Sequence, residues 1–295
     1  MKISLTRRGV ALALATLSTV VAAVGSGAAK ADPVTGSDAN GTYLALGDSV
    51  AFGYVPPQAV PAPNYLDQHS FVGYPELLAQ RLDEHVANAS CPGETTGSML
   101  STSAQSNGCE NSVGSPVGYR TFFPLHVGYQ GSQEAYAIHY LTTHKHTNLV
   151  TIDIGANDAF VCQETTSDHC SSPAELSALA AQIQANLSSI YRQLRNIADY
   201  KGRLVALTYY SLDYSDPAQV ASTQFLDSII AGVTLAFGGT VADGFGAFQT
   251  ASASAGGSPC AAGLLIKLPD NTCDVHPTAR GHRILAAAIA AAIGA

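Results

Sequence analysis

Apolar positions along the chain follow two alternating rhythms. Continuous apolar runs at Tyr43–Leu46, Leu149–Ile154 and Leu204–Tyr209 read as strands, and the first two lead directly into Gly47 and Gly155. Helical spacing marks Tyr74–His85, with Leu77, Leu78, Arg81, Leu82 and His85 on one face. It returns in Ser132–His144, Ser172–Ile197, Pro217–Phe237 and the alanine-rich Thr278–Ile293. Ser172-Pro173 supplies a cap and a first-turn proline for the longest of these. The intervening stretches are polar. Asp32–Thr42 reads as a flexible lead-in, Pro56–Pro63 as a surface loop, and Ser98–Gly131 as long irregular structure rich in Gly, Ser and Pro. Strands alternating with long helices predict an α/β domain whose parallel sheet is covered on both faces. No repeat or compositional break divides residues 32–295, so they read as one domain.

The first thirty-one residues carry a different pattern. Lys2, Arg7 and Arg8 precede an apolar run from Val10 to Val24, and Ala29-Lys30-Ala31 follows with the small-x-small spacing of a cleavage site. Fifteen apolar residues are short for a membrane span, which needs about 20. Residues 1–31 therefore read as a signal peptide, and the protein as secreted, without a stable membrane anchor. Removing that leader changes the charge picture. Four of the fourteen Lys and Arg lie within it, leaving ten against twenty-two acids, a net charge of −12. Such an acidic chain is a poor partner for nucleic acid phosphates and for anionic lipid heads.

All six cysteines, Cys91, Cys109, Cys162, Cys170, Cys260 and Cys273, follow the leader. An even count behind a signal peptide predicts disulfides. Neighbour pairing (91 with 109, 162 with 170, 260 with 273) is the expectation among fifteen possible connectivities. No C-x-x-C pair supports a zinc site.

Three short blocks carry candidate chemistry. In Leu46-Gly47-Asp48-Ser49-Val50, a small residue after a buried strand permits a sharp turn at the sheet's C-terminal edge, where α/β sites form. Ser49 can then present its hydroxyl and its own N–H to an incoming oxygen. In Gly155-Ala156-Asn157-Asp158, again after a strand, the amide of Asn157 suits a developing oxyanion. In Cys273-Asp274-Val275-His276-Pro277, before the last helix, His276 is the natural general base. Each block alone also reads as an ordinary turn or helix boundary.

Together with a fourth block, Cys91-Pro92-Gly93-Glu94-Thr95-Thr96, their order and spacing resemble the SGNH/GDSL hydrolase family. The cysteine-bearing fourth block is similar to that of the secreted actinobacterial lipase and esterase branch. The resemblance implies a three-layer α/β/α flavodoxin-like fold, Ser49 as nucleophile, His276 as base, and Ser49, Gly93 and Asn157 as the oxyanion hole. It implies an esterase or lipase working through an acyl-enzyme, with no cofactor and no metal. One departure stands out: the family spaces its acid three residues before the histidine, whereas here position 273 is Cys and the nearest acid is Asp274. Either Asp274 turns its carboxylate to the ring, or a main-chain carbonyl near Cys273 holds it in a Ser–His dyad.

The nucleophile-elbow pattern G-x-S-x-G is absent. His139, His144 and His146 read as a solvated helix end, and Glu94 and Asp158 as loop braces or site groups. Tyr119–Phe123 and Tyr209-Tyr210 are candidates for an acyl pocket or for core packing. The expected partner is a small-molecule or lipid ester, taken by a monomer. Deacetylation of a carbohydrate and non-catalytic binding are the competing functions.

Overall fold

The computed structural model describes residues 42–295; the expected leader over 1–31 lies outside them. Five strands form one parallel sheet: β1 Thr42–Gly47, β2 His85–Asn88, β3 Thr147–Asp153, β4 Arg203–Leu207 and β5 Thr240–Ala242. Their order is β2-β1-β3-β4-β5, the flavodoxin-like arrangement. Leu44, Leu46, Val150, Ile152, Leu204 and Val205 are all at most 1% exposed, as strands covered on both faces require.

Among the described residues, ten helices accompany the sheet. They are α1 Ser49–Phe52, α2 Tyr74–Leu82, α3 Thr96–Leu100, α4 Tyr119–Phe122, α5 Gln133–Thr143, α6 Ala156–Thr165, α7 Pro173–Arg192, α8 Pro217–Ala236, α9 Gly244–Ser252 and α10 Ala279–Ile293. Helix α10 packs on α2 and α9, while α7 packs on α3 and α8. A second, two-stranded antiparallel sheet joins β6 Leu265–Lys267 to β7 Cys273–Pro277.

The strand order reverses between β1 and β3, the neighbours that lie on either side of the switch point. Loops leaving the C-terminal ends of two such strands diverge and open a crevice. Ser49 follows β1 and Asn157 follows β3, so the crevice lies between them.

Some boundaries differ from the sequence reading. The helix expected over 74–85 stops at Leu82, because Asp83 takes a left-handed conformation (φ 54°) and ends it. His85 instead opens the edge strand β2, which pairs along β1. The stretch 98–131 is mostly irregular but contains α4 and the end of α3. Helix α7 continues through a π-helical turn over Gln193–Ile197. Cys91–Cys109, Cys162–Cys170 and Cys260–Cys273 are joined, each to its neighbour in sequence.

Candidate active site

Gly47 ends β1 at φ 140°, and a Cβ there would lie 2.4 Å from the Asp153 carbonyl oxygen. Only glycine lets the chain turn this close to β3. Asp48 then caps α1 by accepting the Val50 N–H at 2.9 Å, which sets Ser49 at the helix start. Gln133, fully buried at the start of α5, clamps the strand end from the other side. Its Oε1 accepts the Gly47 N–H at 2.6 Å, and its Nε2 donates to the Gly47 carbonyl and to Glu94, both at 3.0 Å.

His276 arrives from the small sheet. Its Nε2 lies 2.8 Å from Ser49 Oγ, and its Nδ1 is in short contact with Asp274 Oδ1. That oxygen also accepts the His276 main-chain N–H at 3.0 Å. The two-residue spacing has a simple cause. Asp274 and His276 both lie on β7, where residues i and i+2 face the same side. A strand thus brings the carboxylate to the ring with one residue fewer than a turn would use, and the ring nitrogen meets a side chain instead of a main-chain carbonyl. Burial alone would raise the Asp274 carboxyl. The hydrogen bonds and charge of His276 outweigh it and hold Asp274 below the usual carboxylate range.

Gly93 and Asn157 come to the same crevice. Gly93 takes φ 84°, with the carbonyl of Asn107 occupying the space a Cβ would need, 2.5 Å away. Asn157, 5% exposed, donates from Nδ2 to Asp48 Oδ2 at 3.2 Å and accepts at Oδ1 from Asn107 Nδ2 at 2.8 Å. The two neighbouring acids act as braces. Asp158 accepts the Thr96 N–H (2.8 Å) and hydroxyl (2.6 Å), tying the start of α3 to the start of α6, and its burial pushes it up to about 6. Glu94 accepts from Gln133 and from the Ser98 hydroxyl, and burial drives its carboxyl far above the ordinary range.

Beneath the serine lies a polar network that motif reading did not find. Asp48 Oδ2 accepts the Tyr209 hydroxyl at 2.6 Å, and Asp153 Oδ1 accepts the Tyr74 hydroxyl at 2.9 Å. Burial raises both acids, Asp153 the more strongly because the Asp48 charge adds to it. Tyr209 is therefore a partner of Asp48, while Tyr210 stacks on Phe248 at 4.2 Å and donates to the Val275 carbonyl at 2.7 Å. Both rings are buried, as core packing requires. Tyr119 and Phe123 do join an aromatic wall with Tyr54, Tyr65 and Phe71, and the Tyr54 ring sits 4.9 Å from His276. Asn107, Gln133 and Tyr209 lie outside the blocks in sequence, Tyr54 follows Ser49 by five residues, and nothing in their spacing marks them. His139, His144 and His146 are exposed on and after α5. Among the described residues, the close Cys/His/acid grouping is Cys91, Glu94 and Cys109, whose sulfurs are joined to each other.

The fold recurs in solved structures. A putative GDSL-like lipase from Parabacteroides merdae ATCC 43184 aligns with TM-score 0.54 and 14% identity, over 86% of this chain and 95% of that one. An acetylxylan esterase from Geobacillus stearothermophilus aligns with TM-score 0.51 and 18% identity, over 86% and 94%. Phospholipase A1 from Streptomyces albidoflavus NA297 aligns with TM-score 0.51 and 20% identity, over 85% and 99%. No curated protein matches in sequence. The sequence model of the GDSL-like lipase/acylhydrolase family matches residues 45–284, from within β1 to within α10 and so across every block described above. With its central parallel five-stranded sheet flanked by helices, the chain belongs to the GDSL-like lipase/acylhydrolase family.

Proposed function

We propose that the protein is an exported serine ester hydrolase with Ser49 as nucleophile, His276 as base and Asp274 as the acid that orients it. The Ser49 Oγ to His276 Nε2 separation of 2.8 Å, with Asp274 on the far ring nitrogen, is the observation that carries this reading. His276 takes the Ser49 proton as Oγ attacks the ester carbonyl. The oxyanion is met by the N–H groups of Ser49 and Gly93 and by the free N–H of Asn157. His276 then protonates the leaving alcohol, and water repeats the sequence on the acyl-enzyme. The chemistry asks for no metal and no organic cofactor, and the protein acts as a monomer.

Water-poor esters are the favoured substrates. Among the described residues, seven of the ten exposed large apolar side chains sit in segments that follow β1 to β4 on the crevice side of the sheet. Leu66 and Phe122 flank the Tyr65–Phe123 contact (5.1 Å) in the wall that reaches His276 through Tyr54. The segments that carry them, 53–73, 113–123, 156–165 and 208–216, contain one Lys or Arg, Arg120, and it is bonded to Glu110 at 2.8 Å. That surface suits uncharged esters better than anionic ones. A second reading, removal of acetyl groups from a carbohydrate, draws on the Tyr119 hydroxyl, which is buried without a partner among the described residues.

Export is supported by the leader over 1–31, by three disulfides, and by the lack of a helix among the described residues long and apolar enough to cross a membrane. The cysteine-bearing Cys91–Thr96 block supports placement in the secreted actinobacterial branch. A p-nitrophenyl ester series from acetate to palmitate, run beside an acetylated xylo-oligosaccharide, tests the assignment. Turnover that vanishes in Ser49→Ala supports it, and a preference for longer acyl chains supports the apolar reading. No turnover of any ester at any pH favours a binding protein.

A further inference from the structure

An oxyanion hole fails if its donors point the wrong way. A side-chain amide is nearly symmetric in shape, so its neighbours alone decide whether nitrogen or oxygen faces the reacting centre. For Asn157 those neighbours are Asp48, which can only accept, and Asn107, which donates from Nδ2 to Asn157 Oδ1 at 2.8 Å. With the oxygen held by Asn107 and one N–H taken by Asp48, the second N–H is left for the substrate.

Asn107 holds the other donor as well. Its main-chain N–H donates to the Gly93 carbonyl at 2.7 Å, and its own carbonyl lies where a Gly93 Cβ would be. The loop that carries it is itself fixed. Cys109, two residues on, is bonded to Cys91, two residues before Gly93. Asn111 accepts the Ser106 N–H at Oδ1 (2.9 Å) and the Gly108 N–H at its carbonyl (2.8 Å).

We propose that Asn107 is a positioning residue of the oxyanion hole, orienting the Asn157 amide and seating Gly93. The inference rests on the ester-hydrolase reading above. Asn107→Asp keeps the shape and the main-chain bond to Gly93 but sets an acceptor against Asn157 Oδ1. The Asn157 amide then either turns its nitrogen toward residue 107 or loses its bond. In either case the oxyanion loses a donor, an interaction made only in the transition state.

The expected result is a fall in kcat of about 10–100-fold on p-nitrophenyl acetate, with KM within about threefold of wild type. The double-mutant cycle separates positioning from loop maintenance. In an Asn157→Ala background, Asn107→Asp should cost less than about threefold, because the group it misdirects is gone. An equal cost in both backgrounds, a change confined to KM, or an unchanged kcat would each overturn the proposal. Fluorophosphonate titration of Ser49 counts folded sites in every variant, and Asn107→Ala enters the same cycle if the aspartate form does not fold. Loss of this inference leaves the wider one standing if Ser49→Ala is inert. Turnover that survives Ser49→Ala removes both.

Discussion

Replacing Asp274 with asparagine separates the charge of the third residue from its geometry. Asp274 Oδ1 accepts two donors, the His276 ring Nδ1 and the His276 main-chain N–H at 3.0 Å. An asparagine that keeps satisfying the main chain leaves its oxygen in place. The ring therefore retains the tautomer with hydrogen on Nδ1 and a lone pair on Nε2 facing Ser49. What disappears is the negative charge beside the imidazolium that forms as Ser49 attacks. Two unit charges about 4 Å apart at an effective dielectric near 20 interact by about 4 kcal/mol, an upper figure for a pair in which Asp274 retains partial exposure. That bounds the loss in kcat for Asp274→Asn at about 10³, with 10²–10³ expected. Asp274→Ala also frees the ring to rotate, and its loss should approach the roughly 10⁴ seen when a serine hydrolase ring is mis-set. Steady-state turnover of p-nitrophenyl butyrate, normalised by fluorophosphonate-titratable sites, measures both. An Asp274→Asn enzyme within tenfold of wild type, or one more damaged than Asp274→Ala, would refute this account of the charge and the tautomer.

Other outcomes follow from the same structure. Ser49→Ala should abolish turnover and covalent fluorophosphonate labelling, and any labelling of the variant detected by mass spectrometry refutes the nucleophile assignment. Phe122→Ser with Leu66→Ser should lower turnover of an emulsified triacylglycerol at least fivefold while sparing soluble p-nitrophenyl acetate; equal losses on both would count against the apolar rim. Burial pushes Asp227 up to about 7 and Asp158 to about 6, so the fold favours their neutral forms. Their contribution to stability is complete below about pH 4 and lost as pH rises through 6 and 7. Unfolding free energies from urea titration should be higher at pH 5 than at pH 8, by on the order of 3 kcal/mol for Asp227, and Asp227→Asn should flatten the difference. A midpoint that rises from pH 5 to pH 8 in the wild type would refute it.

The sheet was legible where burial is two-sided: the apolar runs at 43–46, 149–154 and 204–209 correspond to β1, β3 and β4. The edge strands β2 and β5 were not. His85–Asn88 is partly exposed and polar at its first position, and Thr240–Ala242 spans three residues, too few to show a period. Helix α6 was hidden because its start, Ala156-Asn157-Asp158, reads as an Asx-turn, and only Asn157 and Asp158 of its residues are buried. Ser49, His276 and Asn157 could be named because each stands beside a strand end or helix start with its own local signature, whereas Gly93 came only from the family resemblance. The groups that hold them in place could not. Gln133, Tyr209 and Asn107 act across separations of 86, 161 and 50 residues, through contacts that exist only once the chain is folded.

The placement of the crosslinks bears on how the protein should be handled and where it can work. Cys91 and Cys109 bracket the segment with Gly93 and Asn107, Cys162 lies on the helix that carries Asn157 in its first turn, and Cys273 adjoins Asp274. Each staple ties a segment that delivers a reacting group, while the parallel sheet has none. Made in a reducing cytoplasm, the chain would still have its buried strands to assemble around, yet the groups at the crevice would be tethered by little more than loops. Preparations of that kind would pass tests of secondary structure and solubility and fail by turnover. Reoxidation, without refolding, would then be the step that restores them.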